Sequence, residues 1–548
     1  MYIEMLYPRI ERELFTNRED VLMMLDLALE DVRRGAFKGF TLFGIRRSGK
    51  TLILKEFLAR AIRDPTINVV YVDFEGFPKD PREMVDRFFG AVLFWLKTRG
   101  YGNIVRFLDI QTLARSPSDI LKGGELNKLL NYMTLDKLDL KLRSIFKLLV
   151  ESEKPSVLIL DEFQDFLITL LSEKVDPLGI MREMLRSKTL LILSGSVRSI
   201  MRKIAKDFRE RYFLQLRNIE LTPFNLKSTW ELAEKILQQT ISGRLAARIL
   251  RMSGGFPFYI HAITERAKEL TKIFEVPIKE ALELAYYQEV FTTRGMIYEH
   301  CRYMWTEYIM HAKRKRYLRK ILELVSEKPL TASQIARTLN TDYSIAVKYV
   351  DELLDLGLIV KENNKLYIFN RTFATWIQAR KELPEINIVM PYEKTILRKF
   401  RELEKRVAIA EKIASHNFEM MAQILVATLL GKTLNPRELG ETKLSRIKLP
   451  TKVIFNPTKK KNNKIYELDL LLENGQKVAI EITISKIDAK YIEETINIWK
   501  ADIYWFISYK GFTQSAKQLI EKNQTIILTQ THHLEQILRR ITTQDWAE

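Results

Sequence analysis

Short apolar runs bounded by turns recur along the first part of the chain, with helical patterns between them. Gly39-Phe40-Thr41-Leu42-Phe43 is nearly continuous in apolar character and predicts a buried strand. Ile67 to Phe74, Val157 to Leu160, Thr189 to Ser196 and Asn218 to Phe224 read the same way. Apolar spacing around Val21 to Leu29 and Leu52 to Leu58 predicts amphipathic helices. Residues 83–150 read as mostly helical, broken at Lys122-Gly123-Gly124, and are too long for a minimal crossover, so they read as an insertion. Strands alternating with helices predict an α/β fold with a parallel sheet. Residues 226–300 then read as helical, with Ser253-Gly254-Gly255-Phe256-Pro257 as a turn opening a new helix.

Further along the pattern changes. Tyr317 to Ser326, Thr331 to Leu339 and Tyr343 to Leu354 predict three helices, the last two separated by the turn Asn340-Thr341-Asp342. Gly357 to Val360, Lys361 to Lys365 and Leu366 to Phe369 follow as strand, turn and strand. Helix, helix, turn, helix and hairpin form the winged-helix pattern. A break near Pro384 and Pro391 precedes two helices, Arg398 to Ala414 and His416 to Leu425. Tyr466 to Leu472 and Lys477 to Thr483 alternate apolar and polar positions around Glu473-Asn474-Gly475-Gln476, which predicts a hairpin. The expected organisation is 1–225 for the α/β core, 226–311 for a helical lid, 312–380 for a winged helix, 381–395 for a linker and 396–548 for a last α/β domain.

The first strand runs into Gly44-Ile45-Arg46-Arg47-Ser48-Gly49-Lys50-Thr51, a G-x-x-x-x-G-K-[ST] loop between a strand and a helix. Glycines let the backbone N–H groups turn inward, and the following helix adds its positive end, so the loop can cradle a β-phosphate. Lys50 would reach the β- and γ-phosphate oxygens, and Thr51 would ligate Mg²⁺. Asp161 and Glu162 close the apolar run Val157 to Leu160, at the strand end that faces ligand in open α/β sheets. Asp161 would hold Mg²⁺, directly or through water, and Glu162 would polarise the attacking water. Ser194 and Ser196 are candidates for sensing the γ-phosphate, and Arg209 or Arg211 for reaching a neighbour's phosphate, which would make the chain an oligomer. ATP and Mg²⁺ are therefore the expected cofactors.

Composition narrows the rest. A single cysteine, Cys301, excludes a disulfide framework and a cysteine-based zinc site, which suits a reducing compartment. No apolar run approaches the length of a membrane span, and the opening residues lack a secretory leader pattern, so a cytoplasmic protein without membrane contact is expected. The formal net charge of +19 points to a polyanion partner, with DNA foremost. On the third helix of the winged-helix pattern, Tyr343, Ser344 and Lys348 would reach the duplex, and Lys361 and Lys365 would touch phosphates. In the tail, Asp469 and Glu481 on neighbouring strands could share a divalent cation for phosphodiester cleavage. His532-His533 reads as a surface pair.

Taken together, Phe15, Arg18-Glu19, the Gly44–Thr51 loop, Leu160-Asp161-Glu162, Ser194-Gly195-Ser196, Leu221-Thr222-Pro223-Phe224 and Gly254-Gly255-Phe256-Pro257 resemble the archaeal ATPase family. That family lies near the STAND NTPases and the Orc/Cdc6 initiators within the AAA+ superfamily. The resemblance covers roughly residues 12–300. It implies that Arg18 borders the adenine and that Pro257 touches the nucleotide from the lid; Phe256 and the Arg209–Arg211 region depart from the family pattern. The tail, with Glu467-x-Asp469 and Glu481-x-Thr483, resembles the PD-(D/E)XK restriction-endonuclease fold, which implies a metal role for Glu419 beside Asp469 and Glu481. The run Phe506-Ile507-Ser508 to Gly511-Phe512-Thr513 resembles the final strand and helix of that fold. Thr483 stands where the family carries lysine, and Lys486 or Lys490 are the nearby substitutes. The expectation is an ATP-hydrolysing switch on DNA. Its rivals are a nucleotide-gated nuclease in defence or mobile-element biology and a slow signalling scaffold.

Overall fold

The structure, a computed structural model, describes residues 2–115, 121, 123–185, 188–196, 200, 201, 204, 216–310, 315–382, 394–410, 413–461 and 464–544. The chain divides into two compact units. The first comprises Met1–Thr222 with Asp355–Gly357, and the second Pro223–Leu354 with Leu358–Glu548.

The first unit is built on a five-stranded sheet. Its strands are β1 (Phe37–Phe43), β2 (Asn68–Asp73), β3 (Ser156–Asp161), β4 (Thr189–Gly195) and β5 (Leu216–Glu220), in the order β2-β3-β4-β1-β5. Every pairing is parallel. Parallel sheets carry helices on both faces, so their central strands are apolar throughout. β3 and β4 obey this, since every residue of both is buried. The expected insertion is helical, with Pro81–Thr98, Gly124–Met133 and Leu138–Val150 as its longer helices. Phe74, Phe88 and Phe166 interlock beneath it, with Phe74 stacked on Phe166 at 4.5 Å.

The second unit begins with the helices Leu226–Leu237, Gly243–Ser253, Pro257–Phe274, Ile278–Phe291 and Met296–Met310. Three more helices follow, Lys315–Glu327, Ala332–Leu339 and Tyr343–Asp355. Thr331 caps the second through a reciprocal box with Gln334. The strands β6 (Ile359–Glu362) and β7 (Lys365–Ile368) pair antiparallel behind them. A helix the sequence pattern left unremarked, Arg371–Glu382, returns to the first helices. Asn370 Nδ2 donates to Ser253 O at 3.1 Å there.

The tail carries a second five-stranded sheet, with Lys452–Phe455, Leu470–Glu473, Val478–Thr483, Ile503–Ser508 and Ile526–Gln530 in that spatial order. The first two pairings are antiparallel and the last two parallel. Two expectations change here. The long strand read over Tyr466 to Leu472 breaks at Leu468-Asp469, and Lys464–Glu467 instead pairs with Thr458–Lys461 in a separate exposed hairpin. Strand Ile503–Ser508 is also not the last, since Ile526–Gln530 and helix Thr531–Gln544 follow it. Ile526-Ile527-Leu528 is too short a run to separate strand from helix by period. The helix Ser415–Leu429 joins the tail to the first helices of this unit, for Gln423 Oε1 accepts Leu226 N–H at 3.0 Å in a buried contact. The His532 and His533 rings lie against each other, centroids 3.8 Å apart and tilted by 42°.

Candidate functional site

The parallel sheet brings the ends of β1, β2, β3 and β4 to one edge. In register, Phe43 lies opposite Gly195 and Asp73 opposite Asp161. The loop Gly44–Gly49 leaves β1 at that edge and turns into helix Lys50–Ala61. Gly49 sits at φ 96°, where a side chain is strained. A Cβ on Gly44 would lie 2.9 Å from Ser48 Oγ and 3.3 Å from Leu221 O, so glycine is needed for the loop to close. Ser48 Oγ is buried with no hydrogen-bond partner among the described residues, a polar atom aimed into the loop.

Lys50 is buried, and its ammonium donates to Gly44 O at 3.1 Å and Ile45 O at 3.4 Å. Burial draws its pKa down, and Glu162 and Asp161 oppose that. Thr51 Oγ1 donates to Asp161 Oδ2 at 2.8 Å. Asp161 is fully buried and its carboxyl is pushed up, first by burial and then by Glu162, with Ser194, Thr51 and Lys50 opposing the rise. Glu162 adopts φ 47° at the start of helix Phe163–Ser172. Its carboxylate accepts from Gln164 Nε2 at 2.5 Å and from Ser196 Oγ at 3.1 Å. Of the two serines, Ser196 is hydrogen-bonded to Glu162, and Ser194 Oγ is buried with no hydrogen-bond partner among the described residues.

Sequence reasoning missed Asp73 and Tyr71. Tyr71 OH donates to Asp161 Oδ2 at 3.3 Å. Asp73 is pushed up to about 6, by burial first and by Asp161 next. An acid closing a second buried strand of the same sheet was the available signal. Arg46 reaches across to pair with Glu75, just after β2.

Mg²⁺ holds few protein ligands, commonly one or two carboxylates, and completes its shell with phosphates and water. Thr51 and Asp161 supply hard oxygens of that kind on one point. No group of three or more His, Cys, Asp or Glu side chains suited to a metal occurs among the described residues.

Other expected residues are dispersed. Arg18, at φ 75°, donates through its guanidinium to Thr222 O, and burial draws its pKa down. Ile45 and Arg47 lie in the loop, Arg47 at φ 65°. Pro257 opens helix Pro257–Phe274 in the second unit. Arg209 and Arg211 lie outside the described residues.

In the second unit, Tyr343, Ser344 and Lys348 are exposed along helix Tyr343–Asp355, and Lys361 and Lys365 are exposed on the β6–β7 hairpin. Glu362 between them is tied inward, accepting from His416 Nδ1 at 3.0 Å and from Tyr509 OH at 3.1 Å.

In the tail, Asp469 Oδ2 accepts Ile482 N–H at 2.6 Å, which places it beside Glu481 across the sheet. Asp469 is pushed up to about 6, by burial first, with Ile482 N–H opposing and the charges of Glu419 and Glu467 adding. Burial raises Glu481 to about 7, Asp469 and Glu467 add to the rise, and a hydrogen bond from Tyr491 OH opposes it. Tyr491 is a third residue the sequence reading passed over. Glu419 is exposed on its helix and accepts from Gln423 Nε2 at 3.2 Å. Thr483 closes its strand, where its hydroxyl accepts Ser485 N–H at 3.1 Å, and Lys486 and Lys490 are exposed.

No protein-family model and no curated protein matches the chain. Among solved structures it is similar to a Walker-type ATPase of Pyrococcus abyssi, at 16% identity and a TM-score of 0.46, over 66% of this chain and 96% of that one. It is also similar to the ORC2 protein of Aeropyrum pernix in ADPNP and ADP complexes, at 13% identity and a TM-score of 0.39, over 67% and 95% of the two chains. The ORC1 protein of the same organism in complex with DNA aligns at 13% identity and a TM-score of 0.36, over 69% and 96%. Among the described residues, no helix is long and apolar enough to cross a membrane.

Proposed function

We propose that the chain binds and hydrolyses ATP with Mg²⁺ and acts as a nucleotide-driven switch on DNA. One observation carries this reading. Lys50, Thr51, Asp161 and Glu162 meet at one edge of a parallel sheet, with the Thr51 hydroxyl on the Asp161 carboxylate. The loop N–H groups and Lys50 would hold the β- and γ-phosphates. Thr51 and Asp161 would share the Mg²⁺, which neutralises developing phosphate charge when bound. Glu162, aimed by Gln164 and Ser196, would accept the proton of the attacking water. Asp73 would add a further acid beside Asp161 when the cation is bound. Arg18 would border the base, and Arg209 or Arg211 of a neighbouring copy would complete the site in a cytoplasmic oligomer.

The test is ATP turnover of the full chain beside Lys50→Ala and Glu162→Gln. The proposal requires Lys50→Ala to lose nucleotide binding and Glu162→Gln to bind ATP but hydrolyse it about 100-fold more slowly or worse. Unchanged turnover in Glu162→Gln removes the proposed base. Binding without turnover in the parent chain favours the scaffold.

DNA engagement rests on the +19 net charge and on the exposed Tyr343, Ser344, Lys348, Lys361 and Lys365 of a helix–hairpin arrangement with winged-helix order. Affinity should fall steeply with salt, and Lys348→Glu should weaken it. The second reading, a nuclease, is favoured by the approach of Asp469 to Glu481. Plasmid cleavage with Mg²⁺ or Mn²⁺ that Asp469→Ala abolishes would establish it. DNA retention without cleavage would make the tail a binding module.

A further inference from the structure

A cavity of about 420 Å³ lies within the second unit, and none of the proposed nucleotide, DNA or metal residues lines it. That volume is in the range of small-molecule sites. Six cationic side chains line it: Arg244, Arg248, Arg251, Lys279, Arg371 and Lys432. They come from four separate stretches of chain, so the cluster is a product of the fold.

Arg244, Arg248 and Arg251 are spaced to share one face of helix Gly243–Ser253. Arg244, Lys279 and Arg371 each sit in the first turn of their helix. A cation there opposes the helix dipole. Three such placements around one cavity concentrate positive potential in it. Among the described residues, Glu404 is the one carboxylate lining the cavity, and its own burial pushes its pKa up against the pull of Arg371, Arg251 and Arg248. Glu283 lies behind the wall, with Arg401 at 2.6 Å and Arg248 at 3.5 Å. Leu245, Ile424 and Leu538 supply an apolar stretch of wall.

We propose that this cavity binds a small ligand carrying two or more phosphate groups. Arginine forks match phosphate oxygens in pairs, and several cations facing one cavity favour a multiply charged anion over a single carboxylate. The cavity is walled by the first helices of the unit, helix Arg371–Glu382, and the tail helices Lys394–Ala410, Ser415–Leu429 and Thr531–Gln544. A ligand there would stiffen the contact between those helices and the tail. The inference stands apart from the nucleotide reading of the Gly44–Thr51 loop.

The test uses the full chain carrying Lys50→Ala, so that the loop does not contribute. Titration calorimetry at about 0.1 M salt, where surface pairs are largely screened, would use two probes, tripolyphosphate and ADP. The same titrations would be run after adding Lys279→Gln with Lys432→Gln, and separately Arg244→Gln, with circular dichroism to confirm folding. We expect at least one probe to bind with one site per chain, and its affinity to fall about tenfold or more in the folded variants, or roughly 1.4 kcal/mol. Binding of tripolyphosphate alone assigns the site to inorganic chains, and binding of ADP alone assigns a ring to the wall at Leu245, Ile424 and Leu538. Failure of both probes to bind, or equal affinity in the folded variants, overturns the proposal.

Discussion

The Thr51 hydroxyl donates to Asp161 Oδ2 across 2.8 Å, although the two residues are 110 apart in sequence. This bond joins the start of the loop helix to the end of β3. Because Asp161 is fully buried and its pKa is raised, its charge opposes folding when no cation is bound. Asp161→Asn should therefore separate stability from function. Without nucleotide at pH 7.5, calorimetry should show its melting temperature raised by roughly 2–4 °C. Its ATP turnover should be lost. A lower melting temperature in the variant would mean that the carboxylate is stabilising in the absence of Mg²⁺.

Asp73 carries a pH dependence of its own. Its folded pKa of about 6 lies above the ordinary aspartate value. A raised pKa contributes stability that is fully present below the unfolded value near 4, and that is lost as pH rises through about 6. The first unit should thus be weakened between pH 5 and pH 7.5, by about 1.4 kcal/mol from this residue. Asp73→Asn should flatten that slope. Urea unfolding at the two pH values, in the parent and the variant, reads the difference directly. Parallel slopes in both proteins would place the titration on another group.

Much of the first unit was readable in advance because buried parallel strands are apolar throughout and the loop between Gly44 and Thr51 has fixed spacing. Asp161 and Glu162 stood out against Val157 to Leu160 for the same reason. Asp73 did not, because a lone acid closing a strand carries no spacing to mark it; its place at a strand end was the only signal, and the register opposite Asp161 gives it meaning. The tail was less legible. Alternation through Tyr466 to Leu472 continues across the break at Leu468-Asp469, so periodicity could not show that the chain changes partner there. Tyr491 reaches Glu481 from a helix, and the cationic cavity is assembled from four stretches of chain, so neither leaves a local pattern.

In the tail, Asp469 and Glu481 titrate near 6 and 7, so both are partly protonated at neutral pH. A divalent cation needs them ionised. Mn²⁺ affinity should therefore increase as pH rises from 6 to 8. Tyr491 OH bonds to the ionised form of Glu481 and holds its pKa down. Tyr491→Phe should shift the midpoint of the affinity profile upward by about half a unit or more, since an exposed hydrogen bond to a charged group is worth roughly 1 kcal/mol. Calorimetric Mn²⁺ titration across that range checks both statements. A flat profile in the parent chain would exclude these two acids as the ligands.

Glu362 makes the opposite kind of contribution. Burial alone would raise its pKa, but the N–H groups of Ser415 and His416 and the His416 side chain hold it down to about 2. It also accepts from Tyr509 OH at 3.1 Å, so the β6–β7 hairpin is fastened to two elements of the tail. A depressed pKa contributes stability that is present above the unfolded value near 4.5 and is lost as pH falls toward 2. Glu362→Gln keeps the shape but loses the charge-assisted bonds. At pH 7 it should destabilise the second unit by about 2 kcal/mol. Below pH 3 the variant and the parent should converge. Urea unfolding at pH 7 and at pH 2.5 measures the difference, and an undiminished gap at low pH would show that packing, rather than charge, holds the hairpin to the tail.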